Sequence, residues 1–199
     1  MTYFSLAIGA IAFACVSAAS ADDAKNPPTG PVVLKVVSKK DKYVFDGSGK
    51  TGKEYKADLE ALVKAQENGE RISPPKALPV DLVLQLENTS KENVTVYVGG
   101  TANIHTLDLT DGSGVVTLRN TAAMPNFIRQ PKAETIEPGK SYEIPVTALS
   151  DGRRGTARLI YWTGPGEYML TAKFILLDEK GGKLSELKSE PIKINVVEK

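Results

Sequence analysis

The sequence predicts an all-β fold, an antiparallel β-sandwich with one inserted α-helix, and three observations lead to that class. Apolar and polar side chains alternate in successive short segments from Val80 to Val197, which is the pattern of half-buried strands. These segments recur roughly every 8 to 12 residues and are separated by turns rich in Gly, Pro and Asp. A helical spacing of apolar side chains is found at about 53–68.

The first strand is predicted at the β-branched segment VVLKVVS, residues 32–38, with KYVF as its extension. The helix follows the loop DGSGKTG, and Gly69 supplies its stop signal. Its apolar stripe at positions i, i+4, i+7 and i+8 consists of Tyr55, Leu59, Leu62 and Val63. The helix is therefore expected as an insertion between the first and second strands.

The remaining strands follow from alternation and turn signals. In LPVDLVLQLEN, apolar residues occupy every second position from Val80 to Leu86, and VTVYV continues the pattern after the turn TSKEN. These two segments are predicted to be adjacent antiparallel strands. Further short strands are predicted at IHTLDL, GVVTLR, AETI, YEIPV and ARLIYW. Two long strands, EYMLTAKFILL and SEPIKINVV, close the chain and are joined through DEKGGK.

The segment YWTGPGEYMLTA resembles a recurring feature of immunoglobulin-like domains. Gly166, Tyr168 and Leu170 match the Gly-x-Tyr-x-Cys entry into the penultimate strand, with Leu170 in place of the cysteine. This resemblance implies that the Tyr168 hydroxyl bonds back to nearby backbone and fixes a corner of the sandwich.

Two more segments extend the resemblance. AETIEPGKSYEIPV is similar to the strand–turn–strand hairpin of bacterial immunoglobulin-like and fibronectin-III-like domains, and VDLVLQLENTSKENVTVYV to their second and third strands. The sandwich of BsuPI-type proteinase inhibitors is similar too. Together these segments resemble a family of exported bacterial proteins with one immunoglobulin-like domain, which implies that fold for residues 32–199. The architecture hosts many unrelated roles and implies no particular one.

The N-terminal residues predict export. The apolar run LAIGAIAFACV and the A-x-A pattern of Ala19 and Ala21 are typical of a signal peptide, assigned to residues 1–21. Residues 22–31 are polar and rich in Pro and Gly, as in a linker. We therefore expect a periplasmic or secreted protein. The alternative is a lipoprotein that is acylated at Cys15.

Composition excludes several kinds of function. Lys and Arg number 25 against 24 Asp and Glu, with no basic cluster, so nucleic-acid binding is disfavoured, and no later segment is long and apolar enough to span a membrane. Cys15 is the one cysteine and His105 the one histidine, which disfavours a zinc site and a catalytic triad. Two acid pairs and a calcium site at DLTDGSG stay as weak alternatives, although these residues flank turns. The pairs are Asp108 with Asp111 and Asp41 with Asp46. We predict a non-enzymatic protein without metal or cofactor.

Tyr161 and Trp162 have two interpretations. Either they pack at the mouth of the core, or they form an exposed platform for a glycan or a peptide, rimmed by Arg153 and Arg154. The first functional hypothesis is a binding or envelope-structural module with a protein or glycan partner. The second is a protease inhibitor that presents Arg153 or Arg154 to a trypsin-like enzyme. The third is a glycan-binding domain that uses Trp162.

Overall fold

The computed structural model describes residues 30–120, 128–152 and 157–199. The predicted leader at 1–21, Cys15, residues 22–29 of the linker, Arg153 and Arg154 lie outside the described residues. The described part forms one helix, α1 (Gly52–Glu67), and thirteen strands. The strands are β1 (Val32–Ser38), β2 (Tyr43–Phe45), β3 (Pro79–Asn88), β4 (Val94–Val98), β5 (His105–Asp111), β6 (Val115–Arg119), β7 (Lys132–Ile136), β8 (Ser141–Ala148), β9 (Ser150–Asp151), β10 (Arg158–Trp162), β11 (Gly166–Leu177), β12 (Lys183–Lys188) and β13 (Ile192–Glu198).

The first layer joins two groups of antiparallel strands. One group has the order β1-β3-β8, and the other has the order β6-β10-β9. Leu149, which lies between β8 and β9, links them through its backbone. Its N–H donates to Leu78 O at 2.8 Å, and its carbonyl accepts from Ile160 N at 2.9 Å. The two groups therefore continue one another as a single layer.

The second layer is built around the long strand β11. One edge of β11 pairs with β5 and, at Leu177, with β4, while the other edge pairs with β13 and β12. β7 extends the sheet beyond β4. The short strand β2 lies beside β13 in parallel, and the other pairings are antiparallel.

One apolar core lies between the two layers. It is lined by alternate side chains of both, among them Leu34, Leu84, Leu86, Leu107, Leu170, Ala172, Phe174 and Ile194. The inward residues are almost wholly removed from water, which is the main stabilising term of a fold without disulfides in its described part. The prediction of a mostly antiparallel β fold is confirmed, and the facing layers are consistent with a sandwich.

The predicted adjacency of β3 and β4 is wrong, because the chain changes layers between them. Asn88 ends β3 and is fully buried. Its amide nitrogen donates to Glu92 O at 2.7 Å and to Ile136 O at 2.8 Å, so it fixes the crossing. The predicted hairpin of AETIEPGKSYEIPV is wrong for the same reason, since β7 pairs with β4 and β8 with β3. The alternation of apolar and polar residues specifies which face of a strand is buried, but it does not specify which strand lies beside it.

Two further segments differ from the prediction. KYVF does not extend β1 but forms β2 in the second layer, so the inserted helix follows β2. The closing pair of long strands is in fact three strands, because β12 and β13 share one edge of β11 and are separated at residues 189–191. Ser189 holds the break: its hydroxyl accepts from Ala172 N, and its own N–H donates to Ala172 O.

Candidate functional site

Helix α1 covers the outer face of the β6–β10 group. A capping box begins it, in which Thr51 and Glu54 exchange side-chain and backbone hydrogen bonds. Gly52 allows the start of the helix to approach the corner before β11, since a Cβ at Gly52 would lie 2.6 Å from Thr163 O. A second apolar cluster fills the space beneath the helix, formed by Leu59, Val116, Leu118, Leu159 and Tyr161. β10 therefore has a core on each side.

This double burial explains why Tyr161 and Trp162 are both inaccessible. They are neighbours on β10 and point to opposite faces, Tyr161 toward α1 and Trp162 into the main core. Their exposed fractions are 0% and 2%. The Trp162 ring lies 5.7 Å from that of Tyr43 and 6.4 Å from that of Tyr168, measured between centroids. The interpretation of Tyr161 and Trp162 as an exposed platform is therefore wrong, and the packing interpretation is confirmed by their burial.

The hydroxyl of Tyr161 has a specific role at the edge of this second cluster. It donates to Pro75 O at 2.7 Å, across 86 residues of sequence. Burial, followed by the field of Tyr55, raises the pKa of Tyr161 far above its ordinary value, so the hydroxyl remains a donor. This bond fixes the path of residues 72–77, the segment that connects α1 to β3.

A cleft of about 450 Å³ opens beside that segment. Residues 72–77 form one wall, and Leu159 of β10 and Asn120, just after β6, form the other. The wall is mixed: Ile72, the two prolines, Ala77 and Leu159 give it apolar atoms, and polar atoms contribute nearly as much of its exposed surface. Its size falls within the range of small-ligand and short-peptide sites.

Gln66, near the end of α1, holds the second wall in place. Its amide donates to Arg119 O at 2.7 Å and accepts from Arg119 N at 3.0 Å. These two bonds occupy the free edge of β6, because β6 pairs with β10 on its other side. The cleft is thus built on a sheet and a helix that are tied together by hydrogen bonds.

The charge at the cleft is positive. Lys76 is the one ionisable residue that lines it. Arg71 immediately precedes the lining residue Ile72, and Arg119 precedes Asn120. The side chains of Lys76, Arg71 and Arg119 are exposed, and within the described ranges none of them has an ion-pair partner. An anionic group at the cleft would meet the positive charge of Lys76, and the exposed acids nearest to the lining in the sequence are Glu67 and Glu70.

An ion pair between a buried carboxylate and a half-exposed guanidinium lies at the same end of the first layer. The Asp151 side chain is completely inaccessible and accepts from Arg158 Nε at 2.9 Å and from Leu107 N at 2.6 Å. Arg158 also donates to Leu107 O at 3.1 Å, and its hydrogen bonds to Asp151 raise the pKa of its guanidinium. Arg153 and Arg154, the predicted ligand-binding residues, fall between these two partners in the sequence.

Three of the candidate catalytic residues, His105, Asp46 and Asp111, are engaged in contacts with neighbouring residues. His105 is half-buried, with Nε2 3.3 Å from Ser150 O. Asp46 is held by Lys199 at 2.7 Å, and this bond, followed by one from Ser48 N, lowers the pKa of Asp46. Asp111 accepts from Thr110 at the end of β5. No group of three His, Cys, Asp or Glu in these ranges is placed to hold a metal ion.

Sequence reasoning did not find the cleft. The segment SPPKALP, residues 73–79, predicts extended backbone and gives no sign of a site. Two signals were present in the chain: consecutive prolines whose carbonyls need outside donors, and a tyrosine within the continuous apolar run LIYW. Joining them requires knowledge that Tyr161 and Pro75 meet, which spacing in the sequence does not supply.

Comparisons with models of known protein families, with curated proteins and with solved structures return no match for this chain. Among the described residues, no helix has both the length and the apolar character needed to cross a bilayer.

Proposed function

We propose that this chain is an exported immunoglobulin-like β-sandwich that acts as a non-enzymatic binding module, with the cleft beside residues 72–77 as its binding face. The strand order supports the immunoglobulin-like assignment. β1, β3 and β8 share one layer, as strands A, B and E do in that fold, while β4, β11 and β13 share the other, as strands C, F and G do.

The corner before β11 supports the same assignment. Tyr168 OH donates to Gly164 O at 2.7 Å and accepts from Ser113 N at 3.3 Å. This bond supports the resemblance, because a tyrosine corner consists of a tyrosine near the start of strand F whose hydroxyl bonds back to the backbone a few residues upstream. Leu170 is fully buried two residues later, in place of the cysteine.

The single observation that carries the binding role is the cleft itself. Its walls are preorganised by the Tyr161–Pro75 bond and the two Gln66–Arg119 bonds, which lowers the entropy lost when a partner binds. Its described lining offers an ammonium, a hydroxyl and an amide but no carboxylate, imidazole or thiol to move a proton. This set of groups favours recognition over catalysis.

Affinity capture from the native envelope fraction tests this function. Mature protein is immobilised as wild type, as Ser73→Trp, which fills the cleft from its exposed rim, and as Ser141→Trp. Ser141 is also exposed but lies beside Glu87, near the far end of β3. We expect one or more proteins retained by wild type and Ser141→Trp and lost from Ser73→Trp. The same proteins on all three columns would show that the cleft is not the binding face.

A second candidate function is protease inhibition through Arg153 or Arg154. The Asp151–Arg158 ion pair favours it, because the two residues that bracket the segment are bonded to each other and to Leu107. An inhibitory loop whose flanking residues are held in place loses less conformational entropy when it binds a protease. Stoichiometric inhibition of trypsin that is lost in the double variant Arg153→Ala/Arg154→Ala would support this function, and no inhibition would remove it.

A further inference from the structure

We infer that the cleft takes a short extended peptide in which an apolar side chain is followed or preceded by a carboxylate, and that Lys76 selects the carboxylate. This inference rests on the proposed binding function and names its ligand class. The apolar part of the wall calls for an apolar anchor, since Ile72, Pro74 and Leu159 offer mainly carbon to an occupant. A volume of about 450 Å³ fits one such anchor with its neighbouring residues.

The charge at the cleft determines which residues should flank the apolar side chain of the peptide. Lys76 is exposed at the wall and has no carboxylate partner among the described residues, and the exposed Arg71 and Arg119 flank two lining positions. An acidic peptide gains from this field, a basic peptide is repelled, and the contribution falls with added salt.

The lining also favours a peptide over a sugar. Sugar rings are held by exposed aromatic faces, and none of the residues described as lining the cleft is aromatic. Tyr161 is nearby, but it is fully buried and its hydroxyl is engaged with Pro75. Ser73 instead provides an exposed hydroxyl that suits the polar groups of a peptide backbone.

Three pools of fluorescein-labelled, N-acetylated hexapeptides test the inference by fluorescence polarisation. Each pool has Leu, Ile or Val at its centre, flanked by Asp and Glu in the first pool, by Ser in the second and by Lys in the third. Wild type is expected to bind the acidic pool about five- to tenfold more tightly than the serine pool, because one or two exposed ion pairs change an affinity by about that factor. Higher salt should reduce that preference.

Lys76→Glu is the decisive variant, and Lys91→Glu is its matched control. Lys91 is equally exposed and lies in the turn at the far end of β3. Lys76→Glu should reverse the preference toward the lysine pool, and Lys91→Glu should leave it unchanged. Equal binding of the three pools by wild type, or the same acidic preference in Lys76→Glu, would overturn the inference.

The variant Ser73→Trp distinguishes failure of the acidic-peptide inference from failure of the proposed binding function. If it abolishes binding of all three pools although wild type binds them equally, the cleft is a binding face without charge selection. If it leaves the binding of every pool unchanged, or if wild type binds none, the peptide assignment fails. Partners captured from the envelope fraction and lost from Ser73→Trp would still support the binding face in that case.

Discussion

Replacing Tyr161 by Phe removes one oxygen atom and leaves the ring in place beneath α1. The lost contact is the 2.7 Å hydrogen bond to Pro75 O, so the apolar cluster is not disturbed. A neutral hydrogen bond contributes about 0.5–1.5 kcal/mol net, and a carbonyl left without its donor costs about 1–3 kcal/mol. We expect the free energy of unfolding to fall by about 1–2 kcal/mol.

Urea unfolding followed by the fluorescence of Trp162 measures this loss. Trp162 is the one tryptophan of the chain and is buried in the main core, so it reports global unfolding. Tyr142→Phe is the control, because Tyr142 is partly buried against the core and its hydroxyl has no hydrogen bond within the described ranges. Its effect should stay within about 0.5 kcal/mol.

Hydrogen exchange locates the effect in the structure. The amides of Leu149 and Ile160, which donate to Leu78 O just after the segment and to Leu149 O, should exchange faster in Tyr161→Phe than in wild type, since the segment has lost its anchor. Exchange in β11 should follow only the change in global stability. If Tyr161→Phe matched Tyr142→Phe in stability and left these amides unchanged, the bond would not hold the cleft wall, and the argument for a preorganised site would fail.

Four further predictions follow from the same contacts. Gln66→Ala removes both bonds to the β6 edge and should cost about 1–2 kcal/mol in urea unfolding, with faster exchange at the end of α1. Asp151→Asn leaves Arg158 without its counter-charge. Because Arg158 is partly in water, the free energy of unfolding should fall by about 2–3 kcal/mol. A change near zero in thermal unfolding would contradict a stabilising role for the pair. Tyr168→Phe should lower stability by about 1–2 kcal/mol through the lost corner bond, checked by urea unfolding. The pKa of Glu54 is lowered, chiefly through the hydrogen bond from the backbone N–H of Thr51 at the helix cap. The stabilising effect of Glu54 is therefore present above its unfolded pKa and is lost as the pH falls through its folded pKa. In a pH series of thermal scans, Glu54→Gln should lack this part of the loss of stability in acid.

Local patterns predicted the elements well because each depends on nearby residues. Alternation from Val80 to Leu86 identified the buried face of β3, and the stripe through Leu59 identified the buried face of α1. The partners of those faces were harder to predict. β3 and β4 have the pattern of a hairpin, yet a buried Asn88 sends the chain to the other layer.

The site shows the same division between local and distant information. The run LIYW is apolar at every position, which is typical of burial on two faces. The cleft depends on pairs that are far apart in the chain, Tyr161 with Pro75 and Gln66 with Arg119. Such pairs are set by tertiary packing, and no period or spacing encodes them.

The side chain of Asn88 lies where two passages between the layers meet, the one from β3 to β4 and the one from β7 to β8. Its amide spans from the end of β3 to Ile136, 48 residues away, while its backbone carbonyl accepts from Gly139 N and its N–H donates to Lys140 O. These bonds require both passages to be in their native positions, so they form only after a large loop has closed. Asn88 also begins the triplet Asn-Thr-Ser, and its amide nitrogen is engaged in the native fold. An enzyme that attaches a glycan to that nitrogen would have to act before the chain has folded.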